Sequence, residues 1–519
     1  MNKFFGIVKN RFEHLINDFI GNIIEQGKYA GLPRYGLNQD NTYNFKRLQA
    51  LSSTCLMGFI TNNKRYLLDS KKILFSALKH QRDDGYFYTD KYSKTQDFAR
   101  ANVQFLCIEF FNGYKYIEKF FNEEEKNEFK SYMLKSANYV RTYISALSEI
   151  NQVVGAALLF KFCSHYFNRY EEDYQILKEQ ILLQQKDDGS WVEKHEAPGV
   201  DLLYLSLQLA YHSRLCDLDH DPRLLQSLSR GVSFINNFLV SNGDLDVSVS
   251  KRWLPMTPQG KRFLIYALTK FTSKKHIAYI KKCFLNSQIE DIFYCLKSIP
   301  QYHAPSFWSN PFKIKNLEVL SKNYSIIQKG DLRISFVHGP LRISGGEISS
   351  IYSDKKHWVL QQAPIDKYSL PANASQLRIQ LRDGRILNSS LDCYAYFDPQ
   401  NLKSMGVFRY EDSKFIVTPF GYYKASEATS KIGFIRKYKI VKDKILVEDT
   451  IIIGEDSQVD EINALVPLLN GKINSEMPVH AAELEGIYGK TKLHKIKYIK
   501  DKFIPKGGII KRNFAIKLN

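Results

Sequence analysis

A chain of 519 residues is too long for one ordinary core, and domain sizes of roughly 100–250 residues lead us to expect two large domains. An apolar content of 44% and a charged content of 24% exclude a disordered or low-complexity chain. Lys and Arg number 73 against 54 Asp and Glu, a net charge of +19 that favours polyanionic partners. The basic residues are spread along the chain without an arginine-rich arm or nucleic-acid motif, so no nucleic acid is expected.

The N-terminal stretch MNKFFGIVKNRFEHLINDFIGNII is interrupted by charges every few positions. It lacks the apolar core and cleavage site of a signal peptide. No run approaches the roughly 18 apolar residues of a membrane span. A cytoplasmic location is the expectation. Phe4, Phe5, Ile7, Val8, Phe12 and Ile16 give the first helix an apolar face, which serves a core or a membrane surface. Seven cysteines lie far apart and form no CxxC pair, which reads as buried free thiols in a reducing compartment.

Residues 3–300 carry the 3.6-residue period of helices packed on one side, over 44–62, 66–81, 98–111, 120–147, 152–167, 174–185, 200–212 and 223–240. Two near-identical turns punctuate them, QRDDGYF at 81–87 and QKDDGSW at 185–191. Asp-Gly pairs mark turns because Gly accepts φ > 0 and Asp bonds its own backbone. Gly85 and Gly189 lie 104 residues apart, Gly243 follows 54 later, and GLPRYG at 31–36 lies one step earlier. The spacing implies a unit of about 52 residues, a helical hairpin with long loops. Five or six such hairpins form an incomplete (α/α) toroid.

The character changes near 299–315, where Pro300, Pro305 and Pro311 mark a linker. Beyond it the alternation is that of strands, as in LRISFVH, QLRIQLRDGRI and GFIRKYKIVKDKILVEDTIII, broken by turn signals. The expected organisation is a helical toroid over 1–298, a linker over 299–315 and an antiparallel β-sandwich over 316–519.

Three short stretches carry a family resemblance. Asn151 and Gln152 open the helix NQVVGAALLF, and GVDLLYLSL places Tyr204 53 residues after Asn151. SKRWLPMTP, at 250–258, carries Arg252. With this domain order, the chain resembles the polysaccharide lyases of the heparinase II/III and alginate lyase type. That resemblance implies β-elimination on an acidic, uronate-containing polysaccharide or oligosaccharide. It implies that Asn151 and Gln152 neutralise the substrate carboxylate, that Tyr204 serves as acid alone or as both acid and base, and that Arg252 binds substrate. A second-domain histidine is implied as a base, His338 or, from the linker, His303. Where the family commonly has His after the Asn, this chain has Gln152, which leaves the base open between Tyr204 and a His from elsewhere.

The chemistry needs such groups. Elimination removes a weakly acidic proton beside a carboxylate, so preorganised donors, each contributing about 3–4 kcal/mol, must stabilise the developing charge. An acid and a base each contribute about 10²–10⁴-fold. His195 lies in the loop before the Tyr204 helix and is a further candidate. Arg100, Asn102 and Gln104 could line a distal groove, although their spacing of two does not put all three on one face. Each candidate has a plainer reading: Asn151 as a helix N-cap, Tyr204 as a core aromatic, His195 as a loop residue, Arg252 as a surface cation. QKDDGSW also resembles the Gln-x-x-x-Gly-x-Trp repeat of triterpene cyclases, where it is a clasp between helices. Gln185 then caps a helix end and Trp191 fills the gap beyond it, though Trp191 is retained as a candidate substrate contact.

His338, His357, His480 and His494 are too scattered for a metal cluster, so no metal or cofactor is expected. A hydrolase or epimerase on the same scaffold, or a glycan-binding protein without turnover, remain alternatives. A hydrolase would draw its carboxylate pair from Asp83/Asp84, Asp187/Asp188 or Glu196/Asp201. The sequence leaves the sugar and the oligomeric state open.

Overall fold

The computed structural model describes residues 2–37, 43–87, 96–144, 148–191, 200–246, 264–268, 270–271, 281–285, 289, 292–303, 317–321, 324–337, 347–355, 357–361, 376–388, 393–398, 400–411, 427–441, 443–454, 459–486, 489–498 and 508–518. Contacts divide the chain into two compact units. One comprises Met1–Trp191, Leu203–Ser233 and Met256–Asn310; the other comprises Val192–Leu202, Phe234–Pro255 and Pro311–Asn519.

The first unit is helical. Its helices are α1 (Asn2–Gly21), α2 (Ala50–Ile60), α3 (Lys64–Leu78), α4 (Gln96–Ile117), α5 (Glu123–Tyr143), α6 (Ile150–Phe167), α7 (Glu171–Gln184), α8 (Leu202–Leu218), α9 (Pro222–Asn236) and α10 (Ile292–His303). Two kinds alternate. In α2 nine of 11 residues are buried, and in α6 twelve of 18, so these are enclosed on all sides. By contrast α5 buries only the stripe Phe129, Met133, Ser136, Ala137 and Val140, and α7 only Tyr174, Leu177, Lys178 and Ile181. These are outer helices with one face in solvent. The apolar face of α1 meets the core: Phe12 and Ile16 are fully buried and Phe12 stacks on Phe284.

Cross-contacts fix the direction of the inner helices. Gln104 of α4 reaches Gln152 of α6 near the start of both helices. Phe105 packs on Tyr211 of α8 midway along. Phe111 stacks on Phe162 and Tyr166 near the far end. Sequence numbers rise together, so α4, α6 and α8 run parallel and share one N-terminal rim. Ser52 with Glu109, and Tyr294 with Glu109, bring α2 and α10 against the same α4.

The repeated turns are clasps, built alike. Gln81 donates to the Gly85 and Tyr132 carbonyls and to Ser136 Oγ; Gln185 donates to the Gly189 and Ser227 carbonyls. Gly85 and Gly189 both hold φ +89°. A Cβ on Gly85 would lie 2.2 Å from the Lys135 carbonyl oxygen, and one on Gly189 2.3 Å from that of Arg230, so only glycine fits. Each turn is thereby pressed onto an outer helix of the following hairpin.

The second unit consists of two antiparallel sheets. Its strands are β1 (Leu317–Ser321), β2 (Tyr324–Lys329), β3 (Leu332–Val337), β4 (Glu347–Ser353), β5 (His357–Gln361), β6 (Gln376–Leu381), β7 (Ile386–Asn388), β8 (Cys393–Asp398), β9 (Lys403–Glu411), β10 (Glu427–Val441), β11 (Lys444–Ile453), β12 (Val459–Leu468), β13 (Lys472–Asn474), β14 (Val479–Gly486), β15 (Gly489–Lys497) and β16 (Ile509–Lys517). The larger sheet runs β1-β2-β3-β4-β5-β12-β15-β14, with β6 paired to β12 and β7 to β6; the smaller runs β13-β16-β11-β10-β9-β8. Along β11 every second residue is buried, Ile445, Val447, Asp449, Ile451 and Ile453, the alternation of a strand with one face on a core. Ile334, Ile348 and Ile379 of one sheet join Phe408, Phe434 and Phe514 of the other in a single cluster, so the sheets pack as a sandwich.

Two features depart from the boundary read at 298. Helix α10 continues to His303, past Pro300. The segment Phe234–Pro255 groups with the sheets. Polar contacts explain the grouping: buried Asp246 accepts from Ser335 and Ser350 at 2.8 and 2.5 Å, and Asp244 accepts from the Trp358 indole.

Candidate functional site

The shared rim of α4, α6 and α8 gathers polar side chains from separate hairpins. Asn151 is the second residue of α6 and only 4% exposed, yet its amide oxygen has no hydrogen-bond partner among the described residues. It is not the N-cap; Glu149 holds that position and caps with no side-chain bond. Fully buried Gln104 stands beside it, donating 3.1 Å to the Gln152 carbonyl and accepting 3.3 Å from the Tyr143 hydroxyl. Gly155 lets Gln104 sit this close, since a Cβ there would lie 2.7 Å from the Gln104 amide nitrogen. The rim therefore offers amides and a phenol on rigid helices. The N-terminal ends of parallel helices add partial positive charge there, a setting that favours a carboxylate.

Tyr204 is half-buried near the start of α8. Phe105 and Tyr211 stand level across α4 and α8, and Phe105 touches the site of Gly155 on α6. Counting back seven residues from Tyr211 puts Tyr204 about one helical turn beyond the level of Asn151, at ~1.5 Å per residue. Gln152, next to Asn151 on α6, and Asn102, two residues before Gln104 on α4, are both half-buried.

Other candidates fall elsewhere. Trp191 is a buried clasp residue. It is 2% exposed, donates its indole N–H to the Ile181 carbonyl at 2.9 Å, and fills the space over Gly231 beside His212, as a clasp residue does. Arg100 lies in the first turns of α4 and His303 ends α10, but their side chains lie outside the described residues. His195, Arg252 and His338 lie wholly outside the described residues. Among the proposed hydrolase acids, Asp84 and Asp188 accept from the backbone N–H groups of Tyr86 and Ser190, which is turn formation.

Sequence reasoning missed the partnership of Gln104 and Tyr143 with the Asn151 helix. It also missed a buried polar chain along the inner helices. Glu109 accepts from Ser52 at 2.6 Å, from Tyr294 at 2.5 Å and from Asn112 at 3.3 Å. Asn112 accepts from Arg214, and Arg214 donates to Asp217. Tyr266 and Lys270 also donate to Asp217. Burial pushes the Asp217 carboxyl up, but Lys270 and Arg214 outweigh it and hold the group below the usual carboxylate range. The only sequence signal was charge inside apolar helices, Glu109 in CIEFFN and Arg214 with Asp217 in HSRLCDL.

Among the described residues Cys55, Cys107, Cys163, Cys283 and Cys295 are buried free thiols and Cys216 a half-buried one. Among the described residues no group of three or more His, Cys, Asp or Glu is placed to hold a metal ion. No described helix is long and apolar enough to cross a membrane.

No family model matches the sequence, and no curated protein matches it. Solved structures do. A heparan sulfate lyase HepC mutant from Pedobacter heparinus aligns over 98% of this chain and 82% of its own, at 11% identity and TM-score 0.53. A Streptomyces coelicolor chondroitin AC lyase, in complex with chondroitin sulphate, aligns over 98% of this chain and 79% of its own, at 9% identity and TM-score 0.62. The fold, a helical toroid followed by an antiparallel β-sandwich, is that of these polysaccharide lyases.

Proposed function

We propose, from this shared fold, that the protein is a lyase-like enzyme that cleaves a uronate-containing polysaccharide or oligosaccharide by β-elimination. The observation that carries the reading is Asn151, a buried amide with an unpartnered oxygen at the rim of α6. A buried polar atom left without a partner costs about 1–3 kcal/mol, a cost that makes sense where a ligand supplies the missing contact. Asn151 and Gln152 face the substrate carboxylate and stabilise the charge that develops on it. Tyr204 takes the proton beside that carboxylate as the carbon–carbon double bond forms, and returns a proton to the departing glycosidic oxygen as the C–O bond breaks. Arg252 binds the anionic sugar, and His195, His338 or His303 is the base if Tyr204 acts only as acid. The net charge of +19 suits a polyanionic substrate.

The test is direct. The protein is incubated with a panel of uronate polymers and oligosaccharides while the absorbance of the unsaturated uronide product is followed. A rise is expected, reduced about 10²–10⁴-fold in Tyr204→Phe and about 10²–10³-fold in Asn151→Ala. New reducing ends without that absorbance would overturn elimination in favour of hydrolysis. Binding without turnover would leave a glycan-binding protein.

A further inference from the structure

The opposite ends of the same inner helices line a partly open pocket of about 270 Å³ in the helical unit. Lys115, at one of its edges, lies eleven residues along α4 from Gln104, or ~16 Å along the axis from the rim. The lining has two parts. Aromatic rings form walls: Phe111 and Tyr116 from α4, Phe162 and Tyr166 from α6, Phe293 from α10. Cations crowd the rest, with Lys115, Arg214 and Lys297 from three different helices against the single carboxylate of Asp217.

That carboxylate is already engaged. Asp217 accepts from Lys270 at 2.6 Å and Arg214 at 3.2 Å, and from the Tyr266 hydroxyl. Lys115 and Lys297 form no ion pair among the described residues. Arg214 is 7% exposed, and its buried Nε has no hydrogen-bond partner among the described residues, although its other nitrogens reach Asp217 and Asn112. The Asp217 carboxylate, shared with Lys270, leaves the Nε of Arg214 and the half-buried Lys297 unmatched, with the exposed Lys115 at the edge adding further positive charge. We propose that this cavity is a second binding site, which takes a small carboxylate or phosphate anion no larger than one sugar acid, with its apolar face on the aromatic walls.

The size limit follows from the volume, which is below the roughly 300–1,000 Å³ of drug-sized pockets. The charge follows from three cations against one satisfied carboxylate. Lys297 adds support: burial, and then the nearby Arg214 and Lys115 charges, lower its pKa to about 8, so an anion would relieve a strained cation. The inference does not rest on the lyase reading, because the cavity is at the other end of the helices from Asn151 and Tyr204.

Calorimetric titration of the full chain tests it, with inorganic phosphate, sodium glucuronate and uncharged glucose as probes. At least one anion is expected to saturate a site that glucose does not fill; the two anion arms distinguish a simple oxyanion site from a sugar-acid site. Lys297→Gln is expected to weaken that binding at least tenfold without lowering the melting temperature, and Lys297→Arg to restore part of it. Tyr204→Phe is expected to leave the Lys297-dependent component unchanged. Failure of both anions to bind, or binding indifferent to Lys297→Gln, overturns the proposal.

Discussion

The helical unit and the sheet unit each bury an arginine against an aspartate, Arg214 with Asp217 and Arg436 with Asp449. In the sandwich the pair is closed. Arg436 and Asp449 are cross-strand partners on β10 and β11, both 0% exposed, joined by two hydrogen bonds of 2.7 and 2.8 Å. The Tyr498 hydroxyl donates to the same carboxylate, whose charge, after burial, helps hold that phenol well above its ordinary pKa. In the helical unit the pair borders a cavity, Arg214 keeps an idle donor, and neighbouring cations outnumber carboxylates. Enclosure with bidentate geometry marks a bond of the scaffold. An open, unbalanced cluster marks a place prepared for something else.

Substitutions sharpen that contrast. The largest loss is expected for Arg436→Ala, which leaves a buried carboxylate uncompensated and should cost about 3–5 kcal/mol in denaturant unfolding of the sheet unit. Replacing both partners, Arg436→Leu with Asp449→Leu, should recover much of it; equal loss in the double variant would refute a scaffold role based on charge pairing. Asp217→Asn should cost less, about 1–3 kcal/mol, and tighten anion binding because it removes the one opposing charge. Weaker anion binding in that variant would break the comparison.

Gln185→Ala removes donors to the Gly189 and Ser227 carbonyls and should cost about 1–2 kcal/mol, with no change in anion affinity. The smallest effect is a gain. The folded pKa of Lys297, about 8, lies below its ordinary value, so the protonated side chain opposes folding in full below pH 8. Lys297→Met should therefore raise the melting temperature slightly at pH 7, and the gain should fade as the pH rises above about 8. Over the same range the wild-type chain should lose anion affinity as Lys297 gives up its proton.

Much of the architecture was readable because it is local. Helix α5 carries the one-sided stripe expected of all these helices, whereas α6, expected to pack on one side as well, is enclosed because INQVVGAALLF has almost no polar face. The DDG turns announced clasps, and Trp191 belongs to one, because the indole spans a gap between helices that only the folded hairpin defines. Even Arg436 with Asp449 follows from the antiparallel register that pairs Val441 with Lys444, which sets those positions opposite each other. The polar chain was not readable in this way. Arg214 meets Asn112 across 102 residues, and Tyr294 meets Glu109 across 185, with no periodicity to link them. Of the candidate site, the position of Asn151 at a helix start was legible, but its missing partner was not, since that depends on what Gln104 does on another hairpin.

The clasps also bear on the order of assembly. Gly85 meets Lys135 and Gly189 meets Arg230, contacts between neighbouring hairpins only some forty to fifty residues apart. The larger sheet instead needs Leu360 to find Leu468 before β5 can join β12. Loop-closure entropy grows with such separations, and distant pairings slow folding. Pulse-labelled hydrogen exchange during refolding should thus find the amides of α5 and α7 protected before those of β12, with hairpins riveting in sequence while the sandwich waits for its most distant strand.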